Sequence, residues 1–260
     1  MTAFVIEPLC VGMNAGPLDA QRVDGQPGDP GPGRRSYIGA MLMFLVTGGD
    51  QPVLVDSGPL DEDWNRQYHG CLVERPAELE PANVLARHGI EPGDIEIVIN
   101  THLHWDHCSN NSLFPRAKFY VQRDELVYAS DPLPVHRRAY EKAPGLAPAW
   151  LDVWGRIELV DGDAEIAPGL SVVQLAGHSP GSQGVLVEGA VPYLIAGDAV
   201  NTYADWEGND AVAHLAPGVN TSLLDCYASF EKIERLGCEV IPSHDLRLLS
   251  HGPFKGAQRA

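Results

Sequence analysis

The apolar positions of this chain fall into short blocks parted by glycine, proline and acidic turns, and most blocks have strand length. Residues 38–47 (IGAMLMFLVT) and 52–56 (PVLVD) flank Gly48, Gly49 and Asp50, which predicts a β-hairpin. Residues 77–88 place Leu79, Val84 and Leu85 at helical spacing, with Gly89 positioned to end the helix. The β-branched run 95–100 predicts a buried strand, 118–122 a further strand and 123–130 a helix. The second half repeats the theme, with strands expected over 156–160, 171–175, 184–187, 193–196 and 239–241. Its helix is expected over 222–236, where Leu223, Leu224, Tyr227, Phe230, Ile233 and Leu236 share one face. Two halves of strands followed by helices, with no linker between them, predict an α/β (α+β) fold: one domain over 1–260, built of two sheets covered by helices.

Segment 14–36 breaks the pattern. Its stretch Asp24 to Arg35, DGQPGDPGPGRR, can build neither a helix nor a ladder. It reads as a long loop, either disordered or a cover over a functional site, where Arg34 or Arg35 could meet an anionic group.

Charge and composition narrow the partners. Thirty-five acids against 18 basic residues give a formal charge of −17 over 260 residues, which argues against nucleic acid as a ligand. No apolar run approaches a membrane span, and an export signal is not expected, since the first residues lack a positive segment followed by a long apolar stretch. Cys10, Cys71, Cys108, Cys226 and Cys238 are scattered without a CxxC pair, as expected for reduced thiols of a cytoplasmic protein. A small-molecule substrate is the expected partner.

The chemistry gathers in Thr101 to His107, THLHWDH, directly after a predicted strand. Imidazole and carboxylate are the donors that zinc and similar divalent ions accept. His102 and His104, two residues apart, can point the same way while a turn through Trp105 aims Asp106 and His107 elsewhere, an arrangement that suits two adjacent metals better than one. His178 in AGHSPGS, Asp198 in AGD and His244 in IPSHD each follow a strand-like run, where a sheet edge would present them to a common site. Metals lower the pKa of bound water, so hydrolysis is the expected reaction. Cys108, beside the cluster, has no spare base near it in sequence and reads as a packing residue. The remaining histidines, His69, His88, His136, His214 and His251, have no motif context and are expected to be surface or structural.

The ordered set HxHxDH, GHSPGS, GD and a last histidine resembles the metallo-β-lactamase superfamily over about residues 38–244. The resemblance implies an αββα sandwich with a dinuclear metal centre at one edge. It implies that His102, His104 and His178 hold one metal, that Asp106, His107 and His244 hold the other, and that Asp198 bridges them. Zinc is the expected metal, with manganese, iron or cobalt as alternatives. Asp56, in LVDSG, matches the superfamily's early aspartate, which orients a ligand histidine from behind. Asp106 is the implied proton shuttle, and a homodimer is a family-level expectation.

Within the superfamily the chain looks most like the N-acyl homoserine lactonase group, on the stretch THLHWDHCSNNSLFPRAKFYVQ, the RDEL that follows and GHSPGSQG. That likeness implies opening of a small lactone ring by attack of a metal-bridging hydroxide. One departure stands out: where the group carries a tyrosine three residues after the bridging aspartate, this chain has Asn201. Either Tyr203 takes that catalytic role through a shifted loop, or the substrate differs. The loop NTYADWEGN is expected to line the pocket with Asn201, Tyr203 and Trp206. Hydrolysis of a cyclic amide, ester or glyoxalase-II-like thioester is the alternative on the same scaffold. An iron-dependent dioxygenase is disfavoured because it would keep only two histidines and a carboxylate.

Overall fold

The computed structural model describes residues 4–15 and 37–255. Its strands are β1 Val5–Ala15, β2 Tyr37–Thr47, β3 Val53–Val55, β4 Leu72–Glu74, β5 Ile97–Ile99, β6 Lys118–Gln122, β7 Ile157–Val160, β8 Ala164–Ala167, β9 Leu170–Gln174, β10 Gln183–Val187, β11 Tyr193–Ile195, β12 Glu239–Ile241 and β13 Phe254–Lys255. One mixed sheet runs β13-β1-β2-β3-β5-β6-β7 with β4 added on β1; the other runs β12-β11-β10-β9-β8.

Strand β2 shows why the layers form. Its apolar run is continuous because both faces are covered. Ala40, Leu42, Phe44 and Val46 pack against Val172, Val185, Ile195 and Ile241 of the other sheet. The intervening Met41, Met43 and Leu45 turn outward onto Val84, Leu85 and Phe114. On the far side, Cys226, Phe230 and Ile233 of the helix Leu223–Leu236 cover Val173, Leu175 and Leu194. Helices, two sheets and helices thus make the four layers of the expected sandwich.

The β2–β3 hairpin forms as expected, with Phe44 opposite Val55. The strands Lys118–Gln122 and Glu239–Ile241 and the helix Arg123–Ser130 have the expected limits, and most other expected elements differ by a residue or two. Three differences have physical causes. Strand β1 was not expected, because Pro8 and Gly12 interrupt its apolar pattern; the structure absorbs the irregularity in a register shift between Cys10 and Gly12. The helix expected over 77–88 is broken into a 3₁₀ turn, Ala77–Leu79, and a helix, Pro81–Ala86. Proline at the first helical position forces Glu80 into an extended conformation (ψ 132°). Gly89 does take the left-handed conformation (φ 71°) that its place beyond the helix requires. The loop expected at residues 14–36 begins too early, since Asn14 and Ala15 close β1 against Gly39 and Tyr37; the rest of that expectation lies outside the described residues.

Strands β3 and β5 run parallel, as do β11 and β12. Their carboxyl ends therefore open at one edge of the sandwich, where α/β folds collect ligands. Asp56 follows β3, the histidine cluster follows β5, His178 follows β9, Asp198 follows β11 and His244 follows β12.

Candidate active site

The structure brings together all seven candidate ligands. The Nε2 atom of His178 lies 3.1 Å from Nε2 of His102 and 3.0 Å from Nδ1 of His104. One nitrogen facing two others cannot be satisfied by N–H donors alone. A tetrahedral zinc with Zn–N of about 2.05 Å would set its ligands about 3.3 Å apart, close to the observed spacing. Burial, and next the neighbouring imidazoles, hold His102 and His104 well below the usual histidine range, which keeps both rings neutral as ligation requires.

Asp106, His107 and His244 form a second group able to hold an ion, and His102, His107 and Asp198 a third between them. Asp198 faces both ways. Its Oδ2 lies 3.5 Å from His178 Nε2, while Oδ1 lies 3.2 Å from His107 Nε2 and 3.1 Å from His244 Nε2. Burial would raise the Asp198 carboxyl, but His244, His107 and His178 outweigh it and hold it well below the carboxylate range. His107 Nε2 and Asp198 Oδ1 are buried without a hydrogen-bond partner. Such orphaned atoms converging on one place are what a cation satisfies.

The far nitrogen of three of the rings is tied down. His178 Nδ1 donates to the Val219 carbonyl (2.8 Å) and His244 Nδ1 to the Ala40 carbonyl (2.9 Å). His107 Nδ1 donates to Asp56 Oδ2 (2.8 Å), leaving Nε2 aimed at the site. Asp56 also accepts from the Thr101 amide and hydroxyl, both at 2.7 Å. It sits at φ 60°, a strained backbone for an aspartate. Fixing the tautomer this way is what outer partners of a metal centre do.

Sequence reasoning missed a second support, Glu125. This fully buried carboxylate accepts from the Leu103 amide and the Tyr140 hydroxyl, each at 2.9 Å, and from the Ser179 hydroxyl at 2.5 Å. Leu103 sits between His102 and His104, Ser179 follows His178, and the Tyr140 ring packs edge-on against His104 at 4.5 Å. One side chain thus links both segments that carry the first three ligands. Burial pushes its carboxyl up, with the three donors opposing. Gly181 lets the segments approach, since a Cβ there would fall 2.1 Å from the Glu125 amide nitrogen. The available signal was a glutamate on the buried face of the predicted helix 123–130, beside Leu126 and Ala129.

The residues expected to line the pocket are Asn201, Tyr203 and Trp206. The loop containing them holds a short helix, Tyr203–Glu207, started by a reciprocal Thr202–Asp205 capping box. Arg247 lies over the Tyr203 ring at 4.4 Å, the Tyr203 amide donates to Asp245, the neighbour of His244, and its surface packs on the inter-sheet core. Burial and Asp245 push its hydroxyl up to about 12. Trp206 stacks on His214 at 4.0 Å and packs beneath the helix Leu223–Leu236. Asn201 does reach the site, through its carbonyl, which accepts from the His244 amide at 2.9 Å. Cys108 is buried, and desolvation plus nearby carboxylates push its thiol well above the usual range, in keeping with a packing role. His69 and His136 are buried rather than surface residues, and the five cysteines carry free thiols.

An edge of two sheets presenting HxHxDH, an aspartate facing several imidazoles and two distant histidines defines the class of protein. The metallo-beta-lactamase superfamily model matches residues 40–244, and the chain belongs to that superfamily. Among curated relatives, the N-acyl homoserine lactonase AttM of Azorhizobium caulinodans is 31% identical over 221 residues, 78% of this chain and 80% of its own. The N-acyl homoserine lactonase AiiA of Bacillus thuringiensis subsp. kurstaki is 31% identical over 153 residues, 56% of this chain and 57% of its own. The match therefore spans little more than half the length of the Bacillus relatives. A solved N-acyl homoserine lactone hydrolase with N-hexanoyl-L-homoserine at its catalytic metal center superposes with a TM-score of 0.72 at 22% identity, covering 96% of each chain. AidC, described as a dizinc quorum-quenching lactonase, gives a TM-score of 0.59 at 18% identity over 81% of this chain and 74% of its own. At these identities the structural likeness is one of fold. No helix of the described residues is long and apolar enough to cross a membrane.

Proposed function

We propose that this chain is a dinuclear, zinc-dependent hydrolase that opens the ring of N-acyl homoserine lactones, as its relatives' names suggest. The observation that carries the reading is Asp198, whose two oxygens turn toward different imidazoles. His102, His104 and His178 would hold one ion, Asp106, His107 and His244 the other, with Asp198 between. Two ions held there supply Lewis acidity and hydroxide at neutral pH.

The chain's own part is to prepare and finish that chemistry. Asp56, Val219 and Ala40 orient three of the imidazoles before any metal arrives, which lowers the ordering cost of binding it. Asp106 is the only one of the three carboxylates Asp56, Asp106 and Asp198 that is not buried. In this reading it is the proton shuttle, taking up the proton that the attacking water gives up and returning it to the leaving alkoxide of the opened ring. Tyr203, covered by Arg247 and held through its amide by Asp245, is given no step in this reading.

Purified, zinc-reconstituted protein tested by pH indicator against lactones, cyclic amides and thioesters checks the reading. Acid release is expected from N-acyl homoserine lactones, with Asp198→Asn at least a hundredfold slower, on the order of a lost bridging ligand. Turnover of thioesters alone, or full activity in Asp198→Asn, would overturn it.

A further inference from the structure

Asp106 lacks the outer hydrogen-bond support given to His107, His178 and His244. Its carboxylate has no hydrogen-bond donor among the described residues, and its ligand partners His107 and His244 are each 3.9 Å away. It rides on a single helical turn, Trp105–Cys108, whose N-cap, His104, provides no side-chain cap. One isolated turn has no stability of its own, so its orientation must come from its neighbours. The His107 end is anchored: its carbonyl accepts from the Ser57 amide at 2.7 Å and its ring is held by Asp56. The Trp105 end is anchored differently. Its amide donates to the Ala139 carbonyl at 2.9 Å. Its indole lies face to face on the ring of His69, with centroids 4.1 Å apart and planes within 15°.

His69 is itself fixed. The π-helical turn Asn65–His69 buries Asn65 and His69. The Nε2 of His69 lies 3.2 Å from Oε1 of Glu141, which also accepts from the indole N–H of Trp64 at 2.8 Å. Glu141 is 3% exposed and held at φ 51°, a conformation a glutamate adopts only where its surroundings impose it. A buried, strained carboxylate holding a buried imidazole flat beneath Trp105 is a costly construction for a surface loop.

We propose that His69 and Glu141 are positioning residues for the second metal. They hold Trp105, and Trp105 sets the direction in which the next residue, Asp106, presents its carboxylate. This rests on the dinuclear reading above. His107 and the ligands of the other metal, being anchored separately, do not depend on the stack.

Metal competition tests it, using the metal-free full chain, zinc and a chromophoric chelator. The wild type is expected to give two zinc constants. His69→Leu is expected to weaken one of them by about 10–100-fold and leave the other unchanged. His69→Phe, which keeps a flat ring under Trp105, is expected to hold both near the wild-type values, and Trp105→Leu to reproduce the His69→Leu loss. In the double variant the losses should not add, because both act through one contact. A purely structural pair would lower the unfolding midpoint of His69→Leu and His69→Phe alike and leave both zinc constants of the folded protein untouched; that result overturns the inference. Should His69→Leu not fold, unchanged constants in Trp105→Leu overturn it equally. If the wild type binds fewer than two zinc ions, the dinuclear reading itself fails and takes this inference with it.

Discussion

Three buried carboxylates divide the work at the level of single residues. Asp198 faces the metal positions, Asp56 holds His107 behind them, and Glu125 joins the two ligand-bearing segments. Asp56→Asn keeps the size but puts an amide where three donors expect an acceptor. Zinc affinity by chelator competition should fall about 10–100-fold with the fold retained. Glu125→Ala strands three buried donors, each costing about 1–3 kcal/mol. Urea unfolding of the metal-free protein should therefore show a loss of at least about 3 kcal/mol. The two residues were not equally legible. Asp56 sits in a motif, and the ligands of THLHWDH announce themselves by crowding. Glu125 gains its meaning from Leu103, 22 positions away, and Ser179, 54 positions away. No local pattern in the chain carries that relation.

At the scale of elements, strands covered on both faces were the easiest to read, since a solid apolar run such as 38–47, bounded by turn residues, has the length and composition of a strand buried on both sides. Strand β1 was hidden because its pattern is broken by Pro8 and Gly12, and only pairing with β2, β4 and β13 makes it a strand. The helix Leu223–Leu236 was legible from its helical apolar spacing, but of that expected face Leu223, Leu224 and Tyr227 are exposed and Cys226 is buried instead. Ser222, which accepts from the Asp225 amide, and the left-handed Gly237 bound it. The helix Tyr203–Glu207 was not recognised, although Thr202 and Asp205 form its capping box. Thr202→Ala removes that box and should cost about 1 kcal/mol in urea unfolding. Lactone turnover is expected to stay within a fewfold of wild type, because none of the proposed ligands lies on this helix. A large loss of turnover without a loss of stability would restore Tyr203 to the chemistry.

The whole molecule shows why the site needs the sandwich. The proposed ligands span residues 102 to 244 and come from both sheets, so no fragment can assemble them. Metal binding should then be coupled to global stability. At free zinc a thousandfold above its dissociation constant, one site adds about 4 kcal/mol. For a chain of this size that corresponds to roughly 8–16 °C in the unfolding midpoint. Calorimetry with and without a chelator measures it, and equal midpoints would mean that the folded form has no preference for the metal.

The amino-acid sequence by itself determined the class of chemistry and the layered architecture, because clustered histidines and apolar period are local properties of a chain. It could not determine that Asp198 looks both ways, that Glu125 and His69 stand behind the ligands, or that Tyr203 lies beneath Arg247. Those relations arise only when strands distant in sequence are brought to one edge. Which side chains meet there follows from packing and from the pairing of buried polar groups, and both exist only in the folded molecule.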